Sequence, residues 1–188
     1  MIMRIEPIHE TRNPPASTAT TCFSRVTTAL GNLLLVGERG ESGLALRGIY
    51  FDGAPHAESA VPAGAREDAL AFAEVRAQLE QYFDGKRTVF ELALAPRGTE
   101  FQRRVWSALS TIPHGATTTY AAIARALGNP TAVRAVGAAN GKNPLSIVVP
   151  CHRVIGKDGT LTGYAGGLSR KRRLLELESG HPAGSRGA

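Results

Sequence analysis

Apolar residues follow two kinds of spacing in the first half of the chain, and these predict strands followed by a helix. Between about residues 22 and 51, the runs LLLV and LALRGIYF are separated by glycines, which predicts two or three antiparallel strands. Apolar residues at helical spacing, among them Leu70 and Leu79, predict a helix over about 67–83. The alternating segment TVFELALA (88–95) predicts a further strand.

The second half is predicted to be mostly helical around one extended stretch. Thr99 and Gln102 have the spacing of a capping box, which predicts a helix that begins there and ends near Pro113. A last helix is predicted over about 169–179, and its first turn carries four consecutive basic residues at 170–173. Cations at this position oppose the helix dipole, so they either lie on a solvated face or contact a polyanion.

Two short helices predicted at about 120–127 and 130–140 are joined by a turn containing Gly128, as in a helix-turn-helix. Asn129 is predicted to cap the second helix, PTAVRAVGAAN. This helix has one long side chain, Arg134, and its Gly137 costs about 1 kcal/mol of helix propensity relative to alanine. Its bare surface fits either tight packing against another helix or entry into a widened minor groove of DNA.

Charge is divided unevenly along the chain, and the change of sign places a domain boundary near Pro96. Residues 1–98 contain ten Lys/Arg and twelve Asp/Glu, whereas residues 99–188 contain twelve and four. A basic second half favours a polyanionic partner such as nucleic acid, although a solvated basic surface gives the same pattern. We therefore expect an α/β (α+β) protein of two domains. These are an N-terminal α/β domain at 1–96, with a loose tail at 1–20, and a mostly helical domain at 97–180, followed by a disordered tail at 181–188.

Composition narrows the setting in which the protein works. The chain of 188 residues is 43% hydrophobic, and it has neither a run of about 20 apolar residues nor the apolar core of a secretory signal, so we expect a cytoplasmic protein. Its two cysteines, Cys22 and Cys151, belong to no C-x-x-C pair, which argues against a zinc site and a disulfide framework. Cys22 is predicted to be a core residue of a strand.

The segment PCHRV places Cys151 beside His152, which favours a cysteine nucleophile. In an extended segment the two side chains would point to opposite faces, so the imidazole needs a bend or a bridging water to reach the sulfur. A histidine acting as a base also needs a group that orients it. Spacing does not choose among the carboxylates of this half, and a buried structural thiol remains the alternative. The four carboxylates are Glu100, Asp158, Glu176 and Glu178.

The helix-turn-helix, PCHRV and GYAGGL occur in one order, and with them the second half resembles the O6-alkylguanine-DNA alkyltransferases, also called methylated-DNA–protein-cysteine methyltransferases. The matching run extends from Phe101 to Glu178 and includes FQRRVW, TTTYAAIARALGNP, RAVGAANGKNP, IVVPCHRVIG, LTGYAGGL and RKRRLLELE. The first half resembles the small N-terminal α/β domain of this family more weakly. The two cysteines of the chain do not match the zinc sites that some relatives carry.

The resemblance implies DNA repair by a single-turnover methyltransferase. The protein would bind double-stranded DNA through the minor groove, flip an O6-alkylguanine out of the stack and transfer the alkyl group to Cys151. The thioether product has no easy route back, so each molecule would act once. O4-alkylthymine is an implied second substrate, and no cofactor or metal is implied. We expect a monomer in solution, and leave open whether molecules bind DNA cooperatively.

The resemblance also assigns roles to individual residues. Cys151 is the implied alkyl acceptor, His152 the base that reaches it through water, and Glu178 the carboxylate that orients the base. Asn143 is implied to brace the turn around the cysteine, and Tyr120 to assist the departure of guanine as a proton donor toward the ring nitrogen.

For DNA, Arg134 is implied to enter the base stack in place of the flipped nucleotide. Other implied DNA contacts are Tyr120, Gln102, Asn129, Ala132, Ala135, Gly137 and Lys157. The implied substrate pocket consists of Val154, Tyr164, Ala165 and Lys171. Ala165 lies where some relatives have a serine hydroxyl near O6. Two other functions are compatible with parts of the pattern, namely a non-catalytic lesion sensor and a Cys-His hydrolase.

Overall fold

A computed structural model describes residues 19–180 of the chain. Within this part, the first half of the chain forms a four-stranded sheet followed by one α-helix. The second half contains four more α-helices and a short two-stranded sheet. The mixed α/β class expected from the sequence is confirmed. The tails predicted at 1–20 and 181–188 lie outside the described residues, except for Ala19 and Thr20, and Thr20 begins the first strand.

Three antiparallel strands and one short parallel strand form the first sheet, in the order β3-β2-β1-β4. The strands are β1 (Thr20–Thr28), β2 (Gly31–Gly40), β3 (Gly43–Phe51) and β4 (Arg66–Glu67). Cys22, Ser24 and Val26 alternate into the core along β1. The prediction of antiparallel strands between 22 and 51 is therefore confirmed, with Cys22 as a core residue.

The helix predicted over 67–83 begins later, and α1 spans Ala73–Phe83. Glu67 pairs with β1 as part of β4, and the carboxylate of Asp68 accepts a hydrogen bond from the Ala71 N–H at 2.9 Å. These contacts stabilise a turn where the apolar spacing suggested helix. Leu70, one of the apolar residues whose spacing predicted the helix, is 85% exposed.

The strand predicted at 88–95 is wrong apart from a single bridge. The backbone of Leu46 in β3 donates to Ala93 O and accepts from Ala95 N–H, both at 2.8 Å. Farther along, the side-chain amide of Gln78 bonds both backbone groups of Glu91. A glutamine side chain thus satisfies the polar groups that a neighbouring strand would have paired.

The second half contains four helices: α2 (Glu100–Ser110), α3 (Tyr120–Ala126), α4 (Val133–Gly141) and α5 (Leu168–Glu178). The capping box of Thr99 and Gln102 is present at the start of α2. Asn129 does not cap α4, because that helix begins three residues later than predicted, after Ala132. The Asn129 side chain instead accepts a hydrogen bond from Thr131 Oγ1 at 2.8 Å.

Contacts among these elements bring the helix-turn-helix to the cysteine segment. The indole N–H of Trp106 in α2 donates to Ala139 O in α4 at 2.9 Å, and both residues are buried. The two-residue strand β5 (Thr118–Thr119) pairs in parallel with β6 (Val154–Ile155). Since α3 follows β5 directly, this pairing places Tyr120 next to the segment that follows Cys151.

Candidate active site

The segment before Cys151 is held by the amide side chain of Asn143. Its Nδ2 donates to Val149 O at 2.8 Å, and its Oδ1 accepts from Leu145 N–H at 3.0 Å. Asn143 is 5% exposed, so these bonds lie in the protein interior, where an unpaired amide would be costly. Asn143 therefore fixes both ends of the turn that leads to the cysteine.

Two tight turns occur within this segment. Ile147 has φ +73°, and Val148 N–H donates to Ser146 O across it at 2.9 Å, which is a γ-turn of the strained type. Pro150 is the centre of the second turn, in which Cys151 N–H donates to Val149 O at 2.8 Å. A β-branched residue at positive φ costs about 1–3 kcal/mol, so the surrounding contacts must impose this conformation.

Cys151, His152 and Arg153 form a single 3-10 turn, and all three are buried. The segment is therefore bent and not extended at this point, which was one of the two alternatives that the sequence left open. Among the described residues, no hydrogen bond joins the sulfur to the imidazole, whose Nδ1 is buried without a protein partner.

Glu178, at the end of α5, is the carboxylate next to His152. His152 Nε2 lies 2.8 Å from Glu178 Oε1. Arg153 donates to both carboxylate oxygens, from Nε to Oε2 at 2.7 Å and from Nη2 to Oε1 at 2.9 Å. Tyr82 Oη donates to Oε1 at 2.7 Å, and Gly115 N–H donates to Oε2 at 3.3 Å. The carboxylate thus accepts hydrogen bonds from three separate parts of the chain.

The protonation states follow from burial and these contacts. Burial opposes ionisation of Glu178, but the hydrogen bonds from His152 and Arg153 outweigh it and hold the pKa of the carboxyl well below its usual range. Burial lowers the pKa of His152, although Glu178 acts in the opposite direction. Since an ionised carboxylate only accepts, Nε2 carries the proton of the neutral imidazole and Nδ1 is left as the basic nitrogen.

The thiol of Cys151 is also protonated in the resting protein. Burial raises its pKa, while a hydrogen bond from Asn143 and the charge of Lys171 act in the opposite direction. Desolvation therefore outweighs the nearby positive charge, which on its own would favour the thiolate. A base is needed to remove the proton when a substrate is bound.

Lys171 does not lie on a solvated face with its basic neighbours, since its side chain is fully buried. Its ammonium donates to Val154 O and, at 2.6 Å, to Thr162 O. Burial lowers the pKa of Lys171, and the nearby Cys151 opposes that shift. The buried ammonium joins the segment after the cysteine to the segment that carries GYAGGL.

The GYAGGL segment packs against the N-terminal sheet. The ring of Tyr164 lies edge-on to that of Phe51 in β3, with centroids 6.3 Å apart, and is nearly perpendicular to the His152 ring, with centroids 6.4 Å apart. A Cβ at Gly166 would approach Phe51 to 2.6 Å, so only glycine fits there. Tyr120 reaches the same segment through its hydroxyl, which lies 3.3 Å from Thr162 O.

The residues expected to contact DNA lie on α2, α3, α4 and the turns beside them, except for Lys157, which lies in the loop after β6. Arg134 and Ala135 are exposed on α4, whereas Val136 and Ala139 face the core. A Cβ at Gly137 would lie 3.9 Å from the Tyr120 ring, which is an ordinary contact. Packing within the chain therefore does not require glycine at this position. Asn129 and Lys157 are exposed, while Gln102, Ala132 and Tyr120 are half-buried.

Sequence reasoning missed Arg153, Tyr82 and Gly115 as partners of Glu178. Arg153 lies next to His152, which was a usable signal. Tyr82 comes from α1, 96 positions before Glu178, and no local pattern predicts that contact. Gly115 has φ +75° and a Cβ there would approach Glu178 O to 3.0 Å, which explains the glycine only once the structure is known.

Neither a metal-binding cluster nor a membrane-spanning helix is found within residues 19–180. No group of three or more His, Cys, Asp or Glu side chains in this range is arranged to hold a metal ion. None of the helices in the same range has the length and apolar character needed to cross a membrane.

Comparison with known proteins identifies the class as DNA-repair enzymes that transfer an alkyl group to a cysteine. Residues 100–180 match the family model "6-O-methylguanine DNA methyltransferase, DNA binding domain", and residues 24–96 match its "ribonuclease-like domain". A methylated-DNA–protein-cysteine methyltransferase of Mycolicibacterium paratuberculosis is 57% identical over 122 residues, which cover 65% of this chain and 74% of the relative. One from Methanosarcina barkeri is 56% identical over 118 residues, covering 63% and 75%.

Solved structures agree with these relatives. Mycobacterium tuberculosis OGT in complex with DNA matches with a TM-score of 0.77 and 44% identity, over 86% of this chain and 95% of that one. The O6-methylguanine methyltransferase of the same organism matches with a TM-score of 0.76 and 42% identity, over 88% and 97%. The chain belongs to the methylated-DNA–protein-cysteine methyltransferase family.

Proposed function

We propose that the protein repairs double-stranded DNA by moving the alkyl group of O6-alkylguanine onto Cys151, once per molecule. The observation that carries the proposal is the buried hydrogen bond between His152 and Glu178 beside the cysteine. It leaves a neutral imidazole with a basic nitrogen next to a protonated thiol, which is the arrangement that general-base activation of a nucleophile requires.

The transfer is a displacement at the alkyl carbon. His152 Nδ1 takes the thiol proton through a water, the sulfur forms a bond to the alkyl carbon, and the bond between that carbon and guanine O6 breaks. The electron pair of the broken bond stays with guanine, which takes up a proton as it leaves. Tyr120 supplies that proton toward the ring and is reprotonated from solvent, while the imidazolium of His152 releases the thiol proton to solvent. The products are therefore guanine and an S-alkyl cysteine, with both side chains back in their starting states.

Lys171 and Val154 support the pocket in this proposal. The buried ammonium lies close enough to Cys151 to favour the thiolate electrostatically as it forms. It also holds the carbonyl of Val154, which has a second lone pair for the guanine amino group. Tyr164 forms the pocket wall, and because Ala165 offers no hydroxyl, a backbone N–H or Tyr120 would contact O6.

The exposed face of α4 is proposed to enter the minor groove. Arg134 projects from a surface that is otherwise alanine and glycine, and the missing bulk at Gly137 has no explanation inside the chain. Arg134 would occupy the place of the flipped base, as apolar and basic side chains do in other minor-groove complexes. Gln102, Asn129 and Lys157 would contact phosphates, which position the protein without reading sequence.

The domain division is part of the same proposal. Residues 97–180 would bind DNA and accept the alkyl group, while the domain within 1–96 would pack against the side of the site that faces away from the DNA. O4-alkylthymine would enter the same pocket, since it presents an alkyl ether at an equivalent position of its ring.

Intact-protein mass spectrometry tests the proposed function. After incubation with a duplex containing one O6-methylguanine, the protein should gain the mass of one methyl group, on the peptide that contains Cys151. Excess duplex should not increase the gain, because each molecule acts once. Binding with an unchanged mass would indicate a lesion sensor, and turnover of an ester without DNA would indicate a hydrolase. Either result would refute the proposal.

Replacing Arg134 with alanine should slow repair of O6-methylguanine in duplex DNA by about tenfold or more, because unstacking a base costs a few kcal/mol that the side chain no longer offsets. Reaction with free O6-benzylguanine should keep its wild-type rate, since no base has to be extruded. Single-turnover kinetics with both substrates measure the two rates. Arg76→Ala, which removes an exposed arginine of α1, is the matched control. Equal slowing with both substrates would contradict the role in extrusion.

A further inference from the structure

Tyr82 joins the N-terminal half of the chain to the carboxylate beside His152. It lies in the last turn of α1, is 1% exposed, and donates its phenol hydrogen bond to Glu178 Oε1 at 2.7 Å. Its ring is fixed on three sides by the rings of Phe83 and Phe90, both with centroids 5.4 Å away, and of His114 at 6.1 Å. The hydroxyl therefore has a defined position that the packing of its own ring maintains.

The direction of this hydrogen bond follows from the charge on its partner. Glu178 is ionised, so it can only accept, and Tyr82 must donate. Burial and the adjacent carboxylate both raise the pKa of Tyr82 far above its ordinary value, so the phenol keeps its proton at every working pH. The tyrosine is thus a permanent donor to the same oxygen that His152 contacts.

The donors around Glu178 differ in where they come from. Arg153 belongs to the turn that carries the cysteine, so it moves with His152 if that turn shifts. Gly115 makes the longest of the contacts, at 3.3 Å. Tyr82 is the donor that ties the carboxylate to an element outside the second half of the chain. It can hold Glu178 in place independently of the cysteine turn.

We propose that Tyr82 is a positioning residue for alkyl transfer, which holds the Glu178 carboxylate so that the imidazole of His152 keeps its orientation and its neutral state. The inference rests on the proposed transfer to Cys151. It gives the N-terminal half a defined part in the chemistry, although that half supplies neither the nucleophile nor the base. Partners one step removed from a reacting group affect activity by fixing its orientation and basicity.

The loss of the hydroxyl has a predictable effect on pH dependence. With one donor fewer, Glu178 becomes more basic and stabilises the imidazolium form of His152 more strongly. Transfer requires neutral His152, so the acidic limb of the rate profile should move to higher pH. The titratable and charged groups around this pair are Tyr82 on α1, His114 in the loop before Gly115, Cys151 and Arg153 on the 3-10 turn, Tyr164 after β6, and Lys171 on α5.

Tyr82→Phe in the full chain tests the proposal, because it removes the hydroxyl and keeps the ring. We expect the rate of methyl transfer from O6-methylguanine duplex to fall by about tenfold on the pH plateau. The reaction with free O6-benzylguanine should fall by the same factor, since the change acts on the chemistry and not on DNA binding. In both reactions the acidic limb should shift upward in pH.

Tyr50→Phe is the matched control, since Tyr50 is a half-buried tyrosine of β3 in the same half of the chain. The Tyr50→Phe variant should show the wild-type rate, and the acidic limb of its rate profile should lie at the wild-type pH. A Tyr82→Phe variant with wild-type rates overturns the inference, and so does a lower rate with an unshifted limb, which would reflect a structural role. If wild-type protein itself transfers no methyl group to Cys151, the proposed function fails and not merely this extension of it.

Discussion

Replacing Cys151 with alanine is expected to abolish methyl transfer while leaving binding to O6-methylguanine duplex within about twofold of wild type. Alanine has no sulfur to form the thioether, and it fits a site that a larger residue already fills, so the turn should keep its shape. Mass spectrometry after incubation with the duplex measures transfer, and fluorescence anisotropy with the same duplex measures binding. A methyl gain in this variant would place the acceptor elsewhere.

Cys22→Ser is the control for that experiment, because it removes the other thiol. Cys22 is 2% exposed in β1, and its sulfur lies 3.8 Å from Gly37 O, a contact that a serine hydroxyl can also make. The variant should transfer the methyl group as wild type does. If it were inactive and Cys151→Ala active, Cys22 would be the acceptor, and the role assigned to the 3-10 turn would be wrong.

The fold was predictable where side-chain spacing matched burial. The capping box at Thr99 and the apolar runs LLLV and LALRGIYF are local patterns, and the structure has α2, β2 and β3 at these places. The start of α1 was not predictable, because the side chain of Asp68 stabilises a turn against the helical spacing of apolar residues. The strand predicted near Glu91 is wrong for a similar reason, since the side chain of Gln78 on α1 bonds the backbone groups that a neighbouring strand would have paired.

The candidate site was predictable in its motifs and not in its electrostatics. Spacing could not select Glu178, which lies 26 positions from His152, and only the resemblance to a family singled it out. The basic run at 170–173 fitted either a solvated face or a polyanion contact, and only the resemblance implied a place for Lys171 in the pocket, where its buried side chain binds backbone carbonyls. The protonated state of Cys151 does not follow from residue types, because it arises from burial, and no local pattern predicts a positive φ at the β-branched Ile147.

Arg153 should have the largest effect on stability among the residues of the site. Arg153→Leu keeps much of the side-chain volume but removes the guanidinium that donates hydrogen bonds to both oxygens of the buried Glu178 carboxylate. Removing one member of a buried ion pair costs about 3–5 kcal/mol, because the remaining charge is still desolvated. Urea unfolding of both proteins at pH 7 measures the difference. Arg39→Leu, which breaks the exposed pair with Asp68, should cost less than about 1 kcal/mol.

The same variant has a pH dependence of defined sign. In wild type the folded-state pKa of Glu178 lies below its unfolded value of about 4.3, so this group stabilises the fold above that pH and loses its contribution as the pH falls through the folded pKa. Without Arg153 the folded-state pKa rises, and a protonated carboxyl no longer needs a cationic partner. The difference between wild type and Arg153→Leu should therefore be largest near neutral pH and shrink below about pH 4. A difference that grows on acidification would show that the arginine stabilises the protein through its packing and not through the charge of Glu178.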